Sequence, residues 1–259
     1  MLEFLLPADL SGTLLLLLLS AALLAGFIDA IAGGGGLITI PALLIAGFAP
    51  VEALGTNKVQ GMFGSAMSTI TYASKGHVDV RKQLWPAVLS FAGSFVGAII
   101  ATIIPPSVLQ AFLPILLIGI AIYFAFKPDA QDIERVERLR PFVFGMTIVP
   151  LIGFYDGLFG PGTGSFFMLA FVALSGYTLL KATAHTKLLN FASNIGGFSF
   201  FAIAGTINWQ VGLMMGIAQM LGSRLGATLA MRVGGRLIKP LLVVTCTVLA
   251  AKILYDRFS

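Results

Sequence analysis

Four consecutive glycines, Gly33 to Gly36, interrupt a long apolar stretch, and a second glycine-rich run interrupts another such stretch in the other half of the chain. The first copy opens with Gly26-Phe27-Ile28-Asp29. The second opens with Gly153-Phe154-Tyr155-Asp156 and continues through Gly157, Gly160, Gly162, Thr163 and Gly164. Each glycine costs a helix interior about 1 kcal/mol relative to Ala. In hydrocarbon the freed backbone amides also need partners, so such breaks belong where protein or a water-filled cavity surrounds them. That setting is the one the rest of the chain implies. It is 58% hydrophobic and 10% charged, with a mean hydropathy of +0.97, whereas a soluble domain is about 25% charged. A polytopic membrane protein follows, built entirely from helices.

The apolar stretches run over Leu10–Ala30, Leu37–Ala49, Ala53–Ala73, Leu84–Ile104 and Val108–Phe126, then over Phe142–Leu158, Phe166–Leu174, Ala182–Ala204, Val211–Met231 and Leu237–Leu254. A helical span takes about 20 residues. Leu37–Ala49 and Phe166–Leu174 fall short of that, and both follow a glycine break. Leu14 to Leu19 resembles a signal-peptide core but lacks the basic n-region one requires, so it belongs to the fold.

The two halves repeat one another. Lys58 and Lys187, Gly76 and Gly205, Gly93 and Gly222, and Gly97 and Gly226 all share one offset of 129 positions (187 minus 58). Corresponding loops carry opposite charge character. Lys75, Arg81 and Lys82 flank one loop, whose mate around Gly205 to Trp209 has no Lys or Arg. The uncharged Pro105-Pro106-Ser107 has a mate holding Arg232, Arg236 and Lys239. Positive charge marks the cytoplasmic side, so the two repeats run in opposite directions. The reading is a single transport domain: residues 1–126 and 141–259 form inverted repeats of about five segments, joined by a cytoplasmic linker, 127–140. Both termini then lie outside the cell (inner) membrane. Re-entrant short segments are the competing topology and would move the termini.

The net charge of +5 sits mainly in loops, where it sets topology rather than marking a nucleic-acid partner. Cys246 is the single cysteine, so an intramolecular disulfide and a multi-cysteine metal site are both excluded. With two histidines, and no His/Glu zinc motif or Gly-x-Ser-x-Gly elbow, the chain does not read as an enzyme. No resident metal or cofactor is expected. No P-loop is present, so ATP is not the direct driver. Inverted repeats with broken helices describe many secondary transporters, whose sites lie near the midplane where half-helix N-termini face anionic groups.

The residues quoted so far resemble the sulfite exporter TauE/SafE family, also called the toluene sulfonate uptake permease family. The resemblance rests on Gly26-Phe27-Ile28-Asp29 with its glycine run, Ile40-Pro41-Ala42-Leu43 and Gly55-Thr56-Asn57-Lys58. Degenerate copies, Gly160-Pro161-Gly162-Thr163-Gly164 and Ala184-His185-Thr186-Lys187, stand in the second half. It covers nearly the whole chain. It implies transport of small anions such as sulfite, organosulfonates or related carboxylates, without choosing among them.

The candidate substrate site comprises Gly33, Gly34, Gly35, Gly36, Asn57 and Lys58 from the first half. From the second half it takes Gly160, Gly162, Thr163, Gly164, Thr186, Lys187, Asn190 and Asn194. Lys58 and Lys187 are repeat mates that can hold one anion from opposite sides, or snorkel to an interface. Replacing either by Ala is then expected to weaken binding without unfolding the chain. Thr183, Lys187, Asn190 and Asn194 share one helical face, suited to a water path or to interhelical bonding. Arg224 stands in an apolar helix where its mate is Phe95, and needs compensation; pairing with Asp156 or Asp29 and contact with substrate are the two readings. Asp29 and Asp156 read as proton carriers, as partners of the broken backbone, or as salt-bridge partners. Gly93, Gly97, Gly222 and Gly226 suit close helix packing. His77 reads as a loop residue, His185 as a cap or site residue, and Trp85 and Trp209 as interfacial anchors. The expected partners are a small anion and lipid; an anion channel on the same residues is the competing class.

Overall fold

The computed structural model describes residues 11–109, 115 and 136–233. These are helical throughout apart from short connections, and the described residues contain no strand. The helices are α1 (Gly12–Ala32), α2 (Gly36–Ile45), α3 (Pro50–Ala73), α4 (Val80–Ile103), α5 (Pro141–Leu158), α6 (Thr163–Leu174), α7 (Leu179–Ile203) and α8 (Trp209–Val233). The segments Val108–Phe126 and Leu237–Leu254, with Cys246, Arg236 and Lys239, lie wholly or almost wholly outside the described residues. So does most of the linker; its last five residues, 136–140, are not helical.

Helix ends follow local chemistry. Ser11 Oγ accepts the Leu14 N–H at 3.3 Å and caps α1, and Pro50 and Pro141 open α3 and α5, where a missing N–H costs nothing. Asp79 caps α4 through the Lys82 N–H, and Thr178 caps α7 through the Lys181 N–H. The Lys82 ammonium beside Asp79 holds that exposed carboxyl below its ordinary range. His77 lies in the connection before α4, and Trp85 and Trp209 are exposed near the starts of α4 and α8. The two glycine breaks do end helices. α1 stops at Gly33, whose φ is 73°, and α6 starts after Gly162, whose φ is 77°. A side chain rarely adopts that backbone, whereas glycine does so freely.

The helices after the breaks are short, as expected. α2 has 10 residues and α6 has 12. At 1.5 Å per residue they reach about 15 and about 18 Å, well under a hydrocarbon core of about 30 Å. By contrast α1, α4 and α5 are long and apolar enough to cross a bilayer, judged by length and composition.

Packing respects the repeat. α1 lies along α8 and α4 along α5; α3 packs on α8 and α4 on α7; α3 and α7 meet each other. Exchanging each helix in these five pairs for its repeat mate returns the same five pairs, as in an isologous pair. Close approach at the outer seams depends on the four packing glycines. A Cβ at Gly93 or Gly97 would run into the Pro150 or Phe154 carbonyl of α5, and one at Gly222 or Gly226 into the Leu23 or Phe27 carbonyl of α1. Burial is inverted relative to a soluble protein. Leu213, Ile217, Leu221 and Leu225 form an exposed stripe on α8, as Leu84, Val88, Val96 and Ile100 do on α4, while Lys58, Lys187, Asp29 and Asp156 are buried. Such a distribution suits a bilayer as solvent, and the chain is read as a multi-pass membrane protein.

Candidate binding site

The two breaks meet in the centre of the bundle. Gly33 and Gly164 touch backbone to backbone, and Gly36 lies against Pro161. Ser165 Oγ, in the first turn of α6, donates to the carbonyls of Ala32 and Gly33 and ties one break to the other. The half-helices α2 and α6 therefore start beside each other, and their N-terminal dipole ends add positive potential there.

Between the breaks lies a polar cavity of about 30 Å³, enough for about one or two waters. Its wall consists of Gly34, Gly35 and Gly36 from the first break and Gly160, Gly162, Thr163 and Gly164 from the second. Asp29 and Asp156 complete these two sides. Asn57 and Gly61 of α3, Asn190 and Asn194 of α7 and Gln219 of α8 close it. Most of the sequence-derived set thus lies on one cavity. The polar face of α7 divides: Asn190 and Asn194 reach the cavity, whereas Thr183 donates to Met168 Sδ at 3.3 Å in a packing contact.

The lysines stand behind this wall. Lys58 is 1% exposed and Lys187 is 0% exposed. Lys58 Nζ pairs with Asp156 Oδ1 at 2.9 Å and also donates to the Asp156 backbone carbonyl. Lys187 Nζ pairs with Asp29 Oδ2 at 3.3 Å and donates to the Asp29 carbonyl. Each lysine therefore crosses from one half to the other and closes the C-terminal end of a broken helix, where carbonyls lack partners and the dipole is negative. Gly197 of α7 leaves room for the Lys58 stem. Removing either lysine would strand a buried carboxylate, so the Ala variants are expected to lose stability as well as binding.

The pairing of the carboxylates also corrects the reading of Arg224. Asp29 and Asp156 are engaged by Lys187 and Lys58, and Arg224 is exposed on α8 between the exposed Leu221 and Leu225. Thr186 is buried but does not line the cavity, and Gly33 contributes backbone contact with α6 rather than cavity wall. His185 sits away from the site: its Nδ1 is 2.9 Å from the Lys181 carbonyl and its ring packs on Phe171 and Tyr177.

Two cavity residues were not in the candidate set. Gly61 matters for what it lacks, because a Cβ there would meet Asn194 Oδ1 at 2.6 Å. Gln219 is 4% exposed and its Oε1 has no hydrogen-bond partner. A glutamine within an apolar helix was a readable signal, but its mate is Ser90, so searching for matched pairs passes over it. Among the described residues no cluster of three or more His, Cys, Asp or Glu side chains suits a metal ion.

The cavity brings together two half-helix N-termini, four amide side chains and two neutralised carboxylates. That combination suits a small polar or anionic solute held by hydrogen bonds. Comparison with known proteins identifies a family of membrane transporters. The family profile described as "Sulfite exporter TauE/SafE" matches residues 18–253. A "Probable membrane transporter protein ORF9" of Sinorhizobium sp is 57% identical over 96% of this chain and 95% of its own. The "Probable membrane transporter protein YfcA" of Escherichia coli K12 is 45% identical over 95% and 91%. A "Probable membrane transporter protein" of Haemophilus influenzae is 43% identical over 96% and 98%. No solved structure matches the chain.

Proposed function

The chain belongs to the sulfite exporter TauE/SafE family of membrane transporters, and from that premise we propose that it is a secondary carrier of small sulfur-containing anions in the inner membrane. Sulfite, organosulfonates and related small carboxylates form the substrate class. The observation that carries this reading is the meeting of Gly36 and Thr163, the starts of two half-helices, at one buried polar cavity. Backbone amides and dipoles at helix N-termini favour anions. The buried lysines supply further positive charge, held in check by Asp29 and Asp156.

Transport would proceed by alternating access, one bundle rocking against the other with both termini outside. At about 30 Å³ the cavity is smaller than an organosulfonate, so loading one would take a parting of the bundles; saturable counter-transport would mark a carrier, and high flux without saturation a channel of the same architecture. The buried carboxylates make proton coupling part of the proposal: each is paired with a lysine, and a proton taken up by one of them would leave a lysine charge free to attract an anion.

Thermal stabilisation of the purified protein tests the reading. Sulfite, sulfate, sulfoacetate, isethionate, mercaptoacetate and chloride would be compared at two pH values. A ligand that binds only the folded state adds RT ln(1 + [L]/Kd) to stability. A selective rise in Tm with sulfite or a sulfonate supports the substrate class. No rise with any of the six at either pH would remove it.

A further inference from the structure

Asp29 and Asp156 occupy matching places in the two repeats, yet their carboxylates are finished differently. Both oxygens of Asp29 are engaged: Oδ2 by Lys187 at 3.3 Å, Oδ1 by the backbone N–H groups of Gly34 at 3.1 Å and Gly35 at 3.2 Å. Asp156 pairs with Lys58 through Oδ1, but its Oδ2 is buried without any hydrogen-bond partner. The cause is legible in the chain. Five residues after Asp29 stands Gly34, which donates; five residues after Asp156 stands Pro161, which has no N–H to give. An anionic oxygen stripped of water and left without a donor is costly. The same cavity wall holds Gln219 Oε1, a second buried acceptor without a partner.

We propose that Asp156 Oδ2 is the seat of the proton that moves with the transported anion, and that Asp29 is a fixed structural anion. This rests on the carrier reading above and deepens it. The groups facing Asp156 define the charge balance. Lys58 faces it from α3, and Asp29 from α1 shares the cavity with it, held by Lys187 of α7. Tyr155 precedes it on α5 and donates its hydroxyl to the Pro161 carbonyl. The contributions of α4 and α6 beside it, Ser94 and Thr163, do not titrate in the working range. With both ion pairs intact the site carries no net formal charge. When a proton from water forms an O–H bond at Oδ2, Lys58 is left uncompensated and the site gains one positive charge. A monovalent anion restores neutrality. One proton and one such anion then cross together, and neither loads without a charge penalty.

Infrared difference spectroscopy of the full chain in lipid, between acidic and neutral pH, tests this without any substrate. The wild type should show the carbonyl stretch of a protonated buried carboxyl at acidic pH. That band should be missing from Asp156→Asn and retained in Asp29→Asn. A band that survives Asp156→Asn, or no buried-carboxyl band in the wild type, overturns the assignment. The band together with a flat anion panel would sink the anion reading and leave the proton site standing. Stabilisation by sulfite or isethionate without the band would do the reverse.

Discussion

At the first break Asp29 receives two backbone N–H groups as well as Lys187; at the second, Asp156 receives Lys58 alone. The frame around them is the same: a helix ending at a glycine break, a short helix after it, and a lysine reaching across from the other half. The side chains that fill the frame are unequal. Asn190 and Asn194 stand where the first half has Gly61 and Ser65, and Gln219 stands where it has Ser90. Three of the four cavity amides come from the second half, and the first half supplies space for them at Gly61. The repeated pattern describes the scaffold, and the unmatched side chains make the cavity one-sided. A single asymmetric ligand does not require matched walls.

The largest test of this asymmetry is at the lysines. Breaking a buried ion pair by deleting one partner costs about 3–5 kcal/mol. Lys58→Ala should fall at the upper end, because Asp156 keeps no other donor. Lys187→Ala should lose less, since Asp29 retains Gly34 and Gly35. Thermal unfolding in lipid or detergent would rank them, and adding Asp156→Ala to Lys58→Ala should recover part of the loss. Equal losses for the two lysines would mean that the backbone donors at the first break contribute nothing.

A smaller effect separates the break from the packing seams. Gly97→Ala and its mate Gly226→Ala put a methyl against the backbone of a neighbouring helix. Such overpacking costs about 1–3 kcal/mol, and the two should lose similar amounts because the seams are related by the repeat. A Cβ at Gly34 meets only Leu37 Cδ1, at 3.4 Å, and Ser165 Oγ, at 4.0 Å. Gly34→Ala should therefore leave Tm nearly unchanged while narrowing the cavity and slowing anion uptake in vesicles. A drop in Tm matching that of Gly97→Ala would assign Gly34 to packing.

Much of this was readable before any coordinates. The constant offset between halves located the mates, and the glycine density located the breaks. Short segments after them foretold half-helices, and the polar face of α7 pointed to Asn190 and Asn194. What sequence could not supply was distance across the bundle. Lys58 and Asp156 are 98 positions apart, and Lys187 and Asp29 are 158 apart. Nothing local says which residues pair, so the sequence leaves the carboxylates as proton carriers, backbone partners or salt-bridge partners of Lys or Arg, the lysines as anion ligands or snorkelling cations, and Arg224 as a bridge to a carboxylate or a substrate contact. Gln219 has a serine as its mate, so no matched pair marks it. Pro161 stands within the second glycine run. Its meaning, a missing donor, emerges only when Gly34 is seen bonded to Asp29.

The smallest test concerns the helices that carry the lysines. α7 begins behind Thr178, whose hydroxyl accepts the Lys181 N–H at 3.4 Å. α3 begins behind Ala49, the repeat mate of Thr178, with Pro50 at its first position and no side-chain cap. The two helices thus solve the same problem differently: one satisfies an orphan N–H, and the other deletes one. Thr178→Ala gives α7 the cap residue of α3 without its proline, and should cost about 0.5–2 kcal/mol. Thr178→Ala combined with Leu179→Pro should regain part of that, because proline pre-sets φ at the first helical position. Recovery would show that the two helix starts are interchangeable parts of one frame. Failure would mean that the Leu179 side chain, buried in the main apolar cluster, matters more than the backbone, and that divergence between the halves reaches beyond the cavity into the helices that hold it.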